Sequence, residues 1–273
     1  MRKRMKKAML LLLPALFVVQ QLWAQCAFHN EAFRSGEYLT YNLYYNWQFI
    51  WVKAGTASMH TVLSNYKGKA AYRSSLITRG NNKVDKMFVL RDTLLCYGSL
   101  DLEPLYFRKG AREGKRYTVD EVSYSYKDGK VILHQHRLQN NGNHLNFTKT
   151  LNYCVFDMLN MFMHARSFNP TGWKKGHDID FPIADGNSIH PAKIRYEGKT
   201  NVKGDDGVKY RCLRLSYLED EGKGFKRIVD FYVTDDANHV PVRLDMFLRF
   251  GSAKAFLTSM KGVKHPLKSV VSK

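Results

Sequence analysis

The stretch EYLTYNLYYNW, residues 37–47, decides how the rest of the chain is read. Leu39, Tyr41, Leu43, Tyr45 and Trp47 fall on one side of an extended backbone. Tyr38, Thr40, Asn42, Tyr44 and Asn46 fall on the other. Side chains alternate across a strand, so this is a half-buried β-strand with an aromatic inner face. AGTASMHTVL (54–63) continues with small residues and a glycine at 55, the mark of a strand that is closely packed or bulged there. AAYRSSLIT (70–78) is a third strand.

The same period returns further along. In VSYSYKDGKVILHQH (122–136), Asp128-Gly129 separates two alternating runs and predicts a tight type I′ hairpin, whose two central residues need positive φ. HPAKIRYEG, YRCLRLSYLED, KRIVDFYVTDD, VPVRLDMFLRF and AKAFLTSMKG follow, separated by KGDDG, DEGKG and DDANH, all turn chemistry. Val240, Val242, Leu244, Met246, Leu248 and Phe250 form one long apolar row and predict one long strand. The reading is an all-β, strongly curved antiparallel sheet forming a barrel or open half-barrel. No internal repeat interrupts it. Residues 25–262 are expected to form a single domain, and the basic VKHPLKSVVSK (263–273) a loose tail.

One segment breaks the pattern. In VFDMLNMFMHAR (155–166), Val155, Met158, Leu159 and Phe162 follow helical spacing, with Asp157, Asn160 and His164 on the other side. Asp157 at the start and Arg166 at the end suit the helix dipole. A short amphipathic helix is therefore predicted to pack its Met/Phe side on the sheet. The thioethers of Met158, Met161 and Met163 suit a pocket for varied apolar ligands.

The N-terminus MRKRMKKAMLLLLPALFVVQQLWAQC carries five basic residues, an apolar run from Ala8 to Val19, and Leu22 and Ala24 where a signal peptidase reads. Residues 1–24 are expected to be a cleaved secretory signal peptide, with the product periplasmic or associated with the outer membrane. Cys26 raises lipidation as a lesser alternative, because Gln25 stands where a lipobox has Gly, Ala or Ser. No later run approaches about 18 apolar residues, so no further span is predicted. Cys26, Cys96, Cys154 and Cys212 permit disulfides after export, in a pairing that spacing leaves open.

The formal net charge is +19, and the leader holds only five of the positive charges. A basic exported protein attracts anionic lipid head groups or acidic glycans, and outside the cytoplasm nucleic acid is not expected as a partner. Candidate chemistry is thin. There is no CxxC, HExxH or GxSxG, and no cofactor or metal is expected. His134 and His136 share a strand face without a third ligand, and Asp185, Ser188 and His190 crowd into what reads as a turn. Asp157 and His164 lack a second catalytic partner.

Taken together, FRSGEYLTYNLYYNW with VKAGTASMHTV, RDTLLCYGSLDLEPLYFRKGAREG, VFDMLNMFMHAR, and VTDDANHVPVRLDM with GSAKAFLTSMKG resemble the bacterial exported family called domain of unknown function 3108. The resemblance implies recurring framework positions at Gly36, Glu37, Leu102, Pro104, Asp157 and Arg166. It also implies a curved sheet in the envelope, similar in style to carriers that hold acyl chains on a concave sheet, and it supplies no catalytic residues. The expected function is therefore non-enzymatic binding of an amphiphilic envelope component: a lipid, a lipopolysaccharide intermediate or an acylated protein. Tyr41, Tyr45, Trp47, Met158 and Phe162 would hold the apolar part and peripheral Lys and Arg the anionic head. The alternative is a module that recognises acidic glycan or a protein through Tyr38, Tyr44, Trp51 and Arg108.

Overall fold

The computed structural model describes residues 26–47, 50–220, 222–248 and 251–272. The expected leader and the side chain of Trp47 lie outside them. The strands are β1 (Glu37–Trp47), β2 (Ile50–Tyr66), β3 (Lys69–Gly80), β4 (Leu90–Ser99), β5 (Pro104–Glu113), β6 (Arg116–Lys127), β7 (Lys130–Leu138) and β8 (His144–Leu151), then β9 (Asp178–Ala184), β10 (Ile189–Lys203), β11 (Lys209–Asp220), β12 (Phe225–Thr234), β13 (Pro241–Phe247), β14 (Ser252–Lys261) and β15 (Val270–Ser272). Helix α1 (Asn82–Asp85) is a single turn, and α2 (Met158–Ala165) joins β8 to β9.

All named strands join one antiparallel sheet in the order β8-β7-β6-β5-β4-β3-β2-β1-β14-β13-β12-β11-β10-β9, with β15 paired to β11. This is an up-and-down meander whose first and fourteenth strands are paired. It stays open at one seam, between β8 and β9, where α2 lies in the chain. Side chains bridge that seam: Arg137 on β7 donates to the Asp185 carbonyl and to Asn187 Oδ1, and Gln135 Oε1 accepts from the Gly186 N–H.

Curvature has local causes. Register shifts interrupt β1 against both neighbours, at Thr40/Tyr41 and at Leu43/Tyr44, and also the pairings of β10 with β11 and β11 with β12. A bulge adds one unpaired residue and bends its strand. At Gly55 a side-chain carbon would stand 2.1 Å from the Arg79 carbonyl oxygen, so only glycine lets β2 approach β3 there. Asp128 and Gly129 both take positive φ, 52° and 69°, as the hairpin turn requires. On β1, Leu39, Tyr41 and Leu43 are buried and Tyr38 is exposed, so the aromatic side does face inward. The outer face carries ion pairs such as Arg195–Asp178, Arg214–Asp230 and Arg227–Glu197.

Three expectations need correction. The residues 263–272 are not loose: Lys264 Nζ donates to the Asn30 carbonyl, the His265 N–H to Asn238 Oδ1, and Ser269 to the Asp236 carboxylate, before β15 pairs with β11. The Val240-to-Phe250 row is cut short, because β13 ends at Phe247 and Leu248 is exposed; Phe250 lies outside the described residues. In and just before α2, Val155, Leu159 and Phe162 pack against the core as predicted, but Asp157, Asn160 and His164 are buried as well and Met158 is 43% exposed. The helix sits inside the curve of the sheet, so its polar side meets the wall and its Met158 side meets open interior.

Candidate functional site

The candidate site is built from the two ends of α2. Asp157 is the N-cap, accepting from the backbone N–H of Leu159 and of Asn160 through Oδ1, while Oδ2 accepts from Tyr124 and from Asn160 Nδ2. Burial raises this carboxyl to about 6, against the lowering effect of those donors. At the other end Arg166, the C-cap, points into a bidentate pair with Glu37 at 2.5 and 2.9 Å, and Nη2 also donates to the Asn238 carbonyl at 3.0 Å. His239 Nδ1 donates to the Arg166 carbonyl. These contacts hold α2 across the end of the sheet from which β1 starts.

Above α2 lies an apolar cavity of about 290 Å³, partly open to solvent. The buried core divides into two clusters, and the cavity draws its lining from both. Tyr41, Met59, Phe231, Leu244 and Met246 belong to the sheet wall, and Met158, Met161 and Phe162 to the helix. Along β11 the lining climbs from Leu213 to Glu219, and along β12 from Val233 to Ile228. Residues near Arg166 are buried, and those at the far ends of β11 to β13 are half-buried, so the mouth faces away from the Glu37–Arg166 pair. Few polar groups reach the lining; among them, two hydroxyls are engaged and Arg166 Nε is buried without a hydrogen-bond partner. The Tyr41 hydroxyl donates to the Pro241 carbonyl, and burial raises its pKa. The Tyr217 hydroxyl donates to Glu219.

Of the residues singled out from the sequence, Tyr41, Met158 and Phe162 come together in this cavity. Met161 lines it too, whereas Met163 is packed into the core. Tyr45 stands outside the lining, close to Gly251. Leu215 and Phe231 of β11 and β12 were not singled out, and Met246 only as part of a strand row, although their alternation carries the same inward signal as Leu39 to Tyr45.

The other constellations have ordinary partners. His134 Nδ1 meets Thr148, while His136 lies between Glu121 and His144, at 2.9 and 2.8 Å. Among the described residues no group of three His, Cys, Asp or Glu is placed to hold a metal ion. The Ser188 hydroxyl and backbone N–H both donate to Asp185 Oδ1 within a turn, and His190, on β10, lies 3.7 Å from Glu219, so the three do not form a triad. Tyr38 stacks edgewise on His60, the Tyr44 hydroxyl donates to Asp205, Trp51 lies under Lys254, and Arg108 lies 3.6 Å from Glu121. Those four are spread over β1, β2 and β5 and make no common patch.

His164 sits among Phe28, Phe156 and Phe168, with ring centroids 4.6, 5.0 and 5.5 Å away. Burial pushes its pKa down to about 4. The unfolded chain takes up this proton from about pH 6.5, so the contribution of His164 is present above that pH and lost as pH falls towards 4. Asp157 and Asp92, both raised to about 6 chiefly by burial, act in the opposite sense over an overlapping window. A His164→Phe variant lacks this loss, while every other group is unchanged. Urea midpoints at pH 7 and pH 4.5 are expected to show the variant gaining, relative to wild type, on the order of 2 kcal/mol on acidification.

The family model described as "Protein of unknown function (DUF3108)" matches residues 40–258, most of the chain. The protein belongs to this family. Of the positions that the resemblance singled out, Gly36, just before the matched residues, takes φ 90°, Leu102 is buried at φ 54°, and the Pro104 carbonyl accepts from Tyr126. Glu37, Asp157 and Arg166 are the groups that seat α2. Among solved structures, the β-barrel-like protein of domain of unknown function DUF1849 from Brucella abortus is 13% identical, with a TM-score of 0.51 over 86% of this chain and 100% of that one. The likeness is one of fold. A "putative lipoprotein" from Parabacteroides distasonis ATCC 8503 is 9% identical, with a TM-score of 0.37 over 86% and 99%. No curated protein matches the chain. Among the described residues no helix is long and apolar enough to cross a membrane.

Proposed function

We propose that this DUF3108 protein is an exported, non-enzymatic envelope protein that holds the apolar part of an amphiphile inside its curved sheet. The observation that carries the reading is the cavity. It is close to the lower end of the ~300–1,000 Å³ range of small-molecule sites, and it is lined almost wholly by apolar side chains. Apolar walls facing a gap lose dispersion contacts that a hydrocarbon chain would restore. Methionines at 158, 161 and 246 adapt to chains of varied shape. The head group then lies at the mouth, among the basic residues of the turns.

Export is supported by the leader and by the Cys26–Cys154 disulfide, which suits an oxidising compartment. A Cys26 sulfur held in that bond has no thiol left to carry a lipid, which favours release after Ala24 over lipidation.

The test is organic extraction and native mass spectrometry of the purified protein, beside a variant whose half-buried lining residues Leu244 and Met246 are both changed to Trp. Wild type is expected to carry acyl-chain molecules, and the filled variant to lose them while keeping its melting temperature within a few degrees. If delipidated wild type and the filled variant take up a fluorescent fatty acid equally, the cavity is not the binding site.

A further inference from the structure

Strand alternation sends the β1–β2, β3–β4, β11–β12 and β13–β14 connections to one end of the sheet, the end at which the cavity opens. Large apolar side chains stand in solvent there: Ile50 is 66% exposed and Met87 84%, with Phe88, Phe225, Phe247 and Leu248 also exposed. They come from four separate connections, so no single irregular loop accounts for them. Cations accompany them. Residues 79–91 hold Arg79, Lys83, Lys86 and Arg91 against one acid, Asp85, which Arg91 already pairs. Lys53 follows Val52, Lys223 and Lys226 flank Phe225, and Lys254 lies 4.3 Å over the Trp51 ring. Of the acids at this end, Asp220 accepts from the Gly222 N–H, Glu219 from Tyr217, Asp245 pairs with Arg243 and Asp185 with Arg137. In the sequence Glu113 has Lys115 and Arg116 beside it, and Glu221 has Lys223. The turns at the opposite end mix signs instead, with Asp101 and Asp128 set against Lys67, Lys127 and Lys130, while Asp205 reaches over β1 to accept from Asn42 and Tyr44.

We infer that this mouth end is a docking face for an anionic phospholipid surface. Exposed apolar side chains ringed by Lys and Arg suit a bilayer interface, where the side chains enter the headgroup boundary and the cations meet phosphates. An unbalanced positive rim repels a second copy of itself, which sets the membrane above self-association as the occupant. The apolar lining runs up to this rim, so a docked mouth would let an acyl chain pass between bilayer and cavity without crossing water. That last step alone rests on the proposed amphiphile binding; the docking does not.

Vesicle flotation tests it. The purified protein is expected to float with phosphatidylcholine vesicles containing phosphatidylglycerol, to be released by salt, and not to float with phosphatidylcholine alone. Met87→Ser with Phe88→Ser, both exposed and so tolerable to the fold, is expected to weaken flotation by about tenfold or more, since burying each such side chain is worth a sizeable share of a tenfold change or more. Leu100→Ser, exposed at the other end, is expected to leave it unchanged. Flotation independent of phosphatidylglycerol, equal loss in Leu100→Ser, or self-association without vesicles that the Met87/Phe88 variant abolishes would each overturn the inference. Extracted lipid with no flotation removes the docking face and leaves the cavity reading. Flotation with a lipid-free interior does the reverse.

Discussion

Glu37→Gln is expected to lower the free energy of unfolding by about 3–5 kcal/mol, because it leaves the guanidinium of Arg166 in an apolar floor without its counter-charge. Both side chains of the pair are 1% exposed. The remaining neighbours of Arg166 are the Asn238 carbonyl and the ring of Phe33, 5.4 Å away, and neither carries a formal charge. The pair also joins residues 129 apart in sequence, the start of β1 and the end of α2, so losing it frees the helix that floors the cavity. Urea unfolding gives the readout, as a fall in midpoint at constant slope. Glu37→Leu combined with Arg166→Met removes both desolvation penalties together, and this double variant is expected to recover most of the loss. A loss below about 1 kcal/mol in the single variant would place the pair with solvent-exposed bridges instead.

Cys26→Ser with Cys154→Ser is expected to have an effect of similar size. The bond spans a sequence separation of 128, and loop-closure entropy for so long a loop amounts to roughly 5 kcal/mol, with measured values for native disulfides usually about 2–5. Cys154 lies between β8 and α2, at the open seam of the sheet, so the bond ties the start of the described chain to the approach of the floor helix. Fluorescent fatty-acid uptake should therefore weaken along with stability. Thiol titration checks the pairing independently. Cys96 and Cys212 are buried, and burial pushes the Cys212 thiol up to about 12 and that of Cys96 well above its usual range. Both should be inert to a thiol reagent in the native protein and react on denaturation, since the thiolate is the reactive form. A fast-reacting thiol in the native state would contradict the Cys26–Cys154 bond.

Glu37, Asp157 and Arg166 form a support for α2, and none of them contacts the space where a ligand would sit except Arg166, at its floor. The cavity above the helix is walled largely by residues of β11 to β13.

Much of the architecture was legible in the chain itself. Alternation over residues 37–47 marked β1 and its inward face, Asp128-Gly129 marked a hairpin, and Asp157 and Arg166 bracketed a helix. These are local properties, set by the period of the backbone and by capping within a few residues. The tertiary structure decided the rest: that Cys26 pairs with Cys154, that Glu37 meets Arg166, and that the meander opens between β8 and β9. It also decided that Asp157 and Asn160 point to the wall while Met158 looks into open space. Helical periodicity distinguishes two faces but does not say which of them is buried when a helix has sheet on one side and a cavity on the other. Contacts across more than a hundred residues depend on how far the sheet curls, and that is the sum of many bulges and close approaches rather than the property of any one segment.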